Sequence, residues 1–206
     1  MSLSDNVRDY LFPKAASAVA DRYDAFFMEI FWISVVIFFI CMIPMVYFLF
    51  RYHRSISPED QTPKITHHNT LEAVWTIIPT FIVIYIFAAS LDAYFDMMVP
   101  PKNAYEIKVK GMKWNWQVEY PNGATELNHL VVPNDRRIKI VLTSIDVLHS
   151  FFLPHFRVKM DAVPNYYSHV WFHPRTEGEY DIYCTEYCGT NHSAMLAKMD
   201  RRQYCT

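Results

Sequence analysis

Two cysteines, a histidine and a methionine occupy the dozen residues CTEYCGTNHSAM at positions 184–195. Thiolates, imidazoles and a weakly bound thioether are the ligands of copper electron-transfer sites. The single-copper form uses one cysteine, two histidines and a distant axial methionine. The stretch therefore predicts a copper site with one thiolate more, and one imidazole fewer, than a single copper ion needs.

The missing imidazole is expected from another strand end, because the sheets of a β-sandwich bring distant strand ends together. His149, in SIDVLHSFFLPHF, directly follows a predicted strand at 137–144. With His149, the set contains two thiolates, two imidazoles and one thioether. Two copper ions sharing the bridging thiolates of Cys184 and Cys188 would use this set fully, with His149 on one ion and His192 on the other.

Two further groups in the loop can act as weak axial ligands. Met195 lies at a fixed offset of three residues from His192. Glu186 lies between the two cysteines and is therefore placed to donate a backbone carbonyl. Both additions fit a pair of copper ions, each of which would take one weak ligand.

Two other kinds of site would use some of the same residues. A disulfide between Cys184 and Cys188 suits an oxidising compartment, but it needs neither histidine nor methionine. A Cys2His2 zinc site is the second alternative. His149 lies too far from the cysteines for zinc-finger spacing, and methionine is a poor zinc ligand.

Two long apolar runs near the N-terminus predict a transmembrane helical hairpin. The run at 26–50 has Glu29 as its one charged residue, and a helix needs roughly 20 apolar residues to cross about 30 Å of hydrocarbon. The second run extends over about 71–95, with Glu72 at its leading end and Pro79 inside. A proline inside a helix favours a kink.

The charges between the two runs predict the orientation of the hairpin. Arg51, Arg54 and Lys64 lie close to the helix ends, and short cytoplasmic loops carry an excess of such residues. Both termini then face outward. We therefore expect a multi-pass protein of a bacterial-type inner membrane, with its C-terminal part on the periplasmic side.

The outward part of the chain has the short alternating segments of a β-sandwich. YEIKVKGMKWNWQVEYPNG changes its phase at Gly111, which predicts a bulge or a strand break there. RRIKIVLTS, YSHVWFH and EYDIYC predict further strands, and the last one ends with Cys184 on the core face. The predicted division is 1–99 for the N-terminal segment and hairpin, and 100–206 for the β domain.

Together, these motifs resemble those of subunit II of the haem-copper cytochrome c oxidases. The matching motifs are CxExCGxxHxxM, DVLHSFFxP, KxDAxP, GxxWxW and the two apolar runs, over about residues 26 to 200. The resemblance implies a transmembrane helical hairpin followed by a cupredoxin-type Greek-key β-sandwich that holds the binuclear copper centre CuA. The copper ligands that it implies are His149, Cys184, Cys188, His192 and Met195, with the carbonyl of Glu186.

The resemblance also implies roles outside the copper set. The side chain of Glu186 would reach toward a magnesium or manganese ion at the interface with subunit I. Trp114 lies where the family receives electrons from cytochrome c, and Glu72 lies where a proton pathway opens on the cytoplasmic side. Glu119 and Asp146 occupy positions that resemble part of an acidic docking surface for cytochrome c.

The function implied by the resemblance is that of the electron-accepting subunit of a proton-pumping oxidase, which reduces dioxygen to water. The chain would be an oxidoreductase and translocase only within the complex, because the haems belong to subunit I. Its partners would be subunits I and III, membrane lipid and an electron donor, with no nucleic acid. The donor would be a soluble cytochrome c, a membrane-bound one or one held in a larger assembly.

Other observations bear on the donor and on rival functions. From residue 101 onward there are 13 Lys and Arg against 11 Asp and Glu, so the β domain has no strongly acidic net charge. A quinol oxidase subunit of the same fold would lack the cysteine pair and both ligand histidines. A membrane-tethered copper carrier would need neither Glu72 nor a second metal at Glu186.

Overall fold

A computed structural model of the chain describes residues 2–53, 65–134 and 136–202. Arg54 and Lys64, which contributed to the predicted orientation, lie outside the described residues, as does Cys205. The chain divides into a helical unit, Phe26–Asp92, and a second unit that combines Met1–Ala25 with Ala93–Thr206.

Three helices precede the strands within the described residues: α1 Leu3–Leu11, α2 Ala18–Arg51 and α3 Asn69–Met98. The two predicted spans lie inside α2 and α3, which are 34 and 30 residues long. At 1.5 Å per residue these helices measure about 50 and 45 Å, more than the hydrocarbon layer requires. Both are apolar enough to cross a membrane.

The acidic residue of the first apolar run has a partner on the second helix. Tyr85 on α3 donates a hydrogen bond to the carboxyl group of Glu29 on α2. Ionisable side chains within membrane-spanning segments are costly and usually pair with another polar group. The contact therefore satisfies Glu29 inside the helical unit.

Polar groups of the preceding segment define the start of α3. The ring Nδ1 of His68 accepts a hydrogen bond from the backbone N–H of Leu71 at 3.1 Å. The backbone N–H of His68 donates to Glu72 Oε1 at 3.2 Å. Since the first N–H groups of a helix lack partners within the helix, such bonds stabilise its first turn. Glu72 thus has a structural contact of its own.

Ten strands within the described residues form two five-stranded sheets. One sheet has the order β3-β2-β1-β5-β8 and the other β4-β10-β9-β6-β7. The strand bounds are β1 Tyr105–Met112, β2 Asn115–Glu119, β3 Thr125–Leu127, β4 His129–Pro133, β5 Ile138–Ser144, β6 His149–Leu153, β7 Val158–Ala162, β8 Ser168–Phe172, β9 Gly178–Cys184 and β10 Leu196–Arg202. The predicted β-sandwich is confirmed.

The core lies between the two sheets and follows the alternation of the strands. On β5, Ile138, Ile140 and Leu142 are completely buried, whereas the residues between them are partly exposed. Trp116 and Phe151 pack edge to face with ring centroids 5.6 Å apart. A strand with one face in the core alternates in this way because successive side chains point to opposite faces.

The strand break predicted at Gly111 falls two residues later. β1 continues through Gly111 to Met112, the chain reverses at 113–114, and β2 returns antiparallel to β1. The apolar phase changes because the turn resets the alternation on the returning strand. Gly111 itself lies opposite Trp116 within the ladder.

The N-terminal segment packs on the β-sandwich. The backbone N–H of Ala16 donates to the carbonyl of His155 at 2.8 Å, and that of Arg175 donates to the carbonyl of Ala16 at 2.9 Å. Ser17 forms an isolated β-bridge with Pro174. The sequence pattern did not suggest these contacts, and the predicted division at residue 99 stays a prediction.

A buried arginine anchors the same segment. Arg157 donates to both carboxylate oxygens of Asp24, at 2.7 and 2.9 Å, and to the carbonyls of Pro13 and Pro154 at 2.6 and 2.5 Å. Its guanidinium lies 4.9 Å from the ring centroid of Phe12. The side chains of the ion pair are only 5% and 6% exposed, so the Asp24 carboxylate depends on Arg157 for compensation of its charge.

Candidate metal centre

The loop with the candidate ligands connects two neighbouring strands at one end of the sandwich. β9 turns Tyr180, Ile182 and Cys184 into the core, as its alternation predicts. β10 starts after the loop and pairs with β9, with Leu196 opposite Tyr183. These pairings fix both ends of the loop on rigid strands.

Short-range hydrogen bonds fold the loop back toward β9. The backbone N–H of His192 donates to the carbonyl of Gly189 at 3.0 Å, and that of Met195 donates to the carbonyl of His192 at 3.2 Å. The carbonyl of Met195 accepts from the backbone N–H of Cys184 at 3.3 Å. The loop therefore returns His192 and Met195 to the level of the cysteines.

The structure brings together all five predicted ligand side chains. The two cysteine sulfurs, both free thiols, are 3.8 Å apart. His149 Nδ1 lies 3.8 Å from Cys184 Sγ, and His192 Nδ1 lies 3.5 Å from Cys188 Sγ. Met195 Sδ is 3.8 Å from Cys188 Sγ. Each thiol therefore has an imidazole of its own.

The chemistry of this cluster fits a soft metal cation. The ligand atoms of His149, Cys184 and Cys188 all lie within 4.8 Å of one another, and the three residues are buried. Burial, together with the adjacent Cys184, raises the pKa of the Cys188 thiol to about 11. Two buried thiolates need a compensating positive charge, and metals bind thiolates rather than thiols. Since a metal–thiolate bond is about 2.3 Å, one ion can reach both sulfurs.

Glu186 presents its two polar groups in different directions. Its carbonyl oxygen accepts a hydrogen bond from Cys184 Sγ at 3.4 Å, so the carbonyl faces the cluster. Its side chain is 41% exposed, and Oε1 lies 3.7 Å from Lys159 Nζ. Lys159 also pairs with Asp161 at 3.2 Å. The carboxylate of Glu186 thus lies among charged surface groups.

Asp146 orients the imidazole of His149, a role that the sequence analysis missed. Burial raises the pKa of Asp146, but hydrogen bonds from His149, Val147 and Lys113 outweigh burial and lower that pKa to about 2. The ionised carboxylate can only accept, so His149 Nε2 donates to Asp146 Oδ1 at 2.8 Å. Nδ1 then carries the lone pair that faces Cys184. The three-residue spacing of the two side chains was the available signal.

The absence of a side chain at Gly111 leaves room for the His149 ring. A Cβ atom at residue 111 would lie 2.9 Å from His149 Cδ2, closer than van der Waals contact allows. Gly111→Ala should therefore displace the ring and weaken copper binding by about 10- to 100-fold, as loss of a group that orients a ligand does. Copper titration of the protein, followed by absorption, measures this affinity.

Gly123→Ala is the control for that substitution. Gly123 has a φ of +84°, and no atom lies within 4 Å of its would-be Cβ. Its replacement should cost about 1 kcal/mol of stability through the backbone and leave the copper affinity unchanged. Equal copper affinities in the two variants would show that the space at residue 111 is unimportant for the site.

Trp114 packs directly on the loop. A Cβ atom at Gly189 would lie 3.3 Å from Trp114 Nε1 and 3.4 Å from its Cζ2, so a side chain at residue 189 would crowd the indole. Trp114 is half-buried, and its Nε1 has no hydrogen-bond partner among the described residues. Trp116 is a core residue that packs edge-on to His149 at 5.9 Å.

Two further predicted site residues, Glu119 and Glu72, have contacts of their own. Glu119, on β2, pairs with Lys110 at 3.0 Å and with Lys108 at 3.7 Å. The hydrogen bond from Lys110 and the charges of both lysines hold the pKa of Glu119 below its usual range. Glu72 belongs to the helical unit.

A β-sandwich with a cysteine- and histidine-rich loop at one end, on a chain with two membrane-type helices, defines a membrane-anchored protein of the cupredoxin type. Two family models match the chain. Residues 5–93 match the transmembrane domain of cytochrome c oxidase subunit II, and residues 125–201 match its periplasmic domain.

Two relatives of known family agree with the family models. Cytochrome c oxidase subunit 2 of Arabidopsis thaliana is 32% identical over 89% of this chain and 80% of the relative, and that of Cereibacter sphaeroides is 28% identical over 89% and 73%. The crystal structure of the periplasmic domain of subunit II of cytochrome oxidase of Bradyrhizobium japonicum is 30% identical, with a TM-score of 0.49 over 51% of this chain and 88% of that one.

The chain belongs to the cytochrome c oxidase subunit II family. It is a membrane protein with a transmembrane helical hairpin and a cupredoxin-type Greek-key sandwich. As a subunit of a haem-copper oxidase, it is part of an oxidoreductase, and family membership implies both copper binding and a subunit I partner. The resemblance inferred from the motifs is thereby confirmed.

Proposed function

We propose that this chain is the electron-accepting subunit of a cytochrome c oxidase and holds a binuclear CuA centre. The observation that carries the proposal is the pair of free thiols 3.8 Å apart, each flanked by its own imidazole. A single-copper site would need only one thiolate. The residues that would hold the two ions are His149, Cys184, Cys188, His192, Met195 and Glu186, the last through its carbonyl.

This ligand set suits rapid electron transfer. When bound, a copper pair held by these residues would supply one-electron redox chemistry with little reorganisation, because the charge would be spread over both metals and both sulfurs. The protein contributes rigidity, since Cys184 ends one strand and His149 begins its neighbour. Burial of Met195 and His149 keeps water away from the ligands.

Trp114 is the proposed point of electron arrival. Its half-buried indole lies against Gly189, the residue that follows Cys188 in the loop. An aromatic ring between the protein surface and the copper ligands shortens the gap between a docked electron donor and the ligand loop. The electron would then pass to haem in subunit I, where dioxygen is reduced to water and protons are pumped.

The same proposal includes a second metal ion, the membrane and the partner proteins. The carboxylate of Glu186 would bind magnesium or manganese at the interface with subunit I. The metal ion would compete with Lys159, which pairs with this carboxylate. The chain would reside in a bacterial-type inner membrane with the sandwich on the periplasmic side. Subunit III and cytochrome c, either soluble, membrane-bound or held in a larger assembly, would be further partners.

Electron paramagnetic resonance of the oxidised complex tests the copper assignment. One unpaired electron shared by two copper nuclei is expected, and metal analysis should give two copper ions per chain in this domain. A spectrum from a single copper nucleus at this site, or zinc in its place, would exclude a binuclear centre.

The proton-pathway role of Glu72 gives a separate prediction. Glu72→Ala should slow turnover about tenfold, which corresponds to about 1.4 kcal/mol in the barrier, without altering the copper spectrum. Glu72→Gln is the matched variant, because its amide oxygen can still accept from the backbone N–H of His68 but cannot carry a proton. Proton uptake on rapid mixing with oxygen measures the effect. Normal proton uptake in Glu72→Gln would leave Glu72 with the capping role alone.

A further inference from the structure

Three loops meet on the surface beside Trp114. The backbone N–H of Ile145 donates to the carbonyl of Gly111 at 3.1 Å, and that of Lys113 donates to Asp146 Oδ2 at 2.7 Å. The copper loop joins them where Gly189 approaches the indole. We name this surface, formed by Trp114, Ile145, Leu148 and Tyr187, the neutral face.

Large apolar side chains of the neutral face point into solvent. Ile145 is 63% exposed, Leu148 38% and Tyr187 79%. The ring of Tyr187 lies edge-on to His192, with centroids 5.9 Å apart. The most exposed aromatic ring of the loop thus touches a proposed copper ligand, so a partner covering Tyr187 would come close to the centre.

Formal charge is nearly absent from this surface. The segments 112–116, 145–149 and 187–194 contain one lysine, Lys113, and one acid, Asp146, whose charges cancel, and Glu186, which precedes Tyr187, is paired with Lys159 at 3.7 Å. The Asp146 carboxylate is engaged by hydrogen bonds from His149, Lys113 and Val147.

Glu119, the other acid that resembled a docking residue, is compensated by its own neighbours. Lys110 and Lys108 both pair with it on the surface of β1 and β2. Two lysines around one carboxylate leave this patch with a positive balance, which would not attract a basic partner. Glu119 is thus surrounded by positive charge, and Lys113 balances the formal charge of Asp146, so neither residue gives this surface an acidic field.

We infer that the electron donor docks on the neutral face through apolar contacts centred on Tyr187, and not through an acidic surface. The inference rests on the proposed function and specifies its donor. That donor is a haem protein whose exposed haem edge is surrounded by an uncharged, apolar rim. Exposed aromatic side chains are frequent centres of binding energy, whereas charges at an interface mainly set the association rate and its salt dependence.

The first test is the salt dependence of turnover by the intact oxidase that contains this chain. The probes are two reduced soluble c-type cytochromes, one with a ring of lysines around its haem edge and one with an apolar rim. Between about 20 and about 300 mM salt, where screening shortens from roughly 20 to below 10 Å, kcat/KM for the apolar cytochrome should change by less than about twofold. A fall of tenfold or more with that cytochrome, or a preference for the lysine-ringed one at low salt, would overturn the inference.

Variants of exposed tyrosines give the second test. Tyr187→Ser should lower kcat/KM for the apolar cytochrome by about tenfold, in the range of an interface residue of central importance. Tyr187→Phe should retain most of the activity because it keeps the apolar ring. Tyr10→Ser is the matched control, since Tyr10 is 89% exposed on α1, outside the neutral face. Equal activities of Tyr187→Ser and Tyr10→Ser would contradict the inference.

Two readouts separate this inference from the proposed function. In Tyr187→Ser, turnover driven by a small-molecule reductant that needs no docking should fall far less than kcat/KM for the apolar cytochrome, and the copper resonance spectrum should still show two copper nuclei. Glu119→Gln should alter kcat/KM for the apolar cytochrome by less than about twofold. A larger loss would show instead that Glu119 takes part in an acidic docking surface. If the unsubstituted complex lacks the two-copper spectrum, the proposed function fails and this inference fails with it.

Discussion

Cys188→Ser should abolish the oxidation of cytochrome c, with a loss of more than about 100-fold in turnover, because substitution of groups that only orient a metal ligand already costs 10- to 100-fold. The Cys188 sulfur lies within 3.8 Å of both Cys184 Sγ and Met195 Sδ, and 3.5 Å from His192 Nδ1. Cys188 Sγ therefore contacts three candidate ligands, as does Cys184 Sγ, which lies near His149 Nδ1, the Glu186 carbonyl and Cys188 Sγ. A serine hydroxyl is a hard and weakly acidic ligand that soft copper does not favour.

The measurement combines turnover with reduced cytochrome c and the copper resonance spectrum. Cys41→Ser is the matched control, because Cys41 is a free cysteine exposed on α2 in the helical unit. Both variants should assemble with subunit I, since neither changes a core apolar contact of the hairpin. Normal turnover in Cys188→Ser would remove the bridging role from the ligand assignment.

Arg157→Ala should destabilise the sandwich by about 3–5 kcal/mol, the usual cost of leaving one partner of a buried ion pair uncompensated. The substitution removes both bonds to Asp24 and those to the carbonyls of Pro13 and Pro154. Residue 157 has a φ of 57°, a left-handed conformation that costs roughly 1–2 kcal/mol in any residue with a Cβ, so arginine and alanine bear this strain equally.

Two further variants separate these contributions. Arg157→Gly should be less destabilised than Arg157→Ala, by about 1 kcal/mol, because glycine adopts a positive φ without strain. Arg175→Ala breaks the pair of Arg175 with Asp21, whose side chains are 57% and 62% exposed, and should cost less than about 1 kcal/mol.

The urea midpoint for loss of the copper absorption of the detergent-solubilised complex provides the measurement. The expected order of midpoints runs from Arg175→Ala, nearest to the unsubstituted protein, through Arg157→Gly to Arg157→Ala. If the exposed and the buried arginine have equal effects, the bonds to Asp24 contribute no more than a surface ion pair.

Local sequence patterns were sufficient to predict much of the fold and the residues of the candidate site. The alternation of EYDIYC placed Cys184 on the core face at the end of β9, and the strand before His149 pointed to it as the missing imidazole. Both predictions rest on a two-residue period, which the backbone imposes wherever one face of a strand is buried.

Contacts between distant parts of the chain could not be predicted in this way. Arg157 and Asp24 are 133 residues apart, and nothing in the residues around either one indicates its partner. The turn at 113–114 was missed because a change of apolar phase is common to bulges and hairpins. Asp146 was taken for a surface acid, since its sequence position does not show that a buried ring nitrogen faces it.

The loop between β9 and β10 contains most of the candidate ligands, so most of the site could be transferred to another protein as a single segment. It supplies both thiolates, one imidazole, the thioether and the carbonyl from one uninterrupted segment, whose ends are fixed by two adjacent antiparallel strands. The remaining imidazole comes from the first residue of β6, which pairs with β9. A sandwich with this strand arrangement would be a suitable recipient for a graft of residues 184–195 if it also supplied a histidine at the start of the neighbouring strand, a carboxylate to orient that histidine and a glycine that leaves room for its ring.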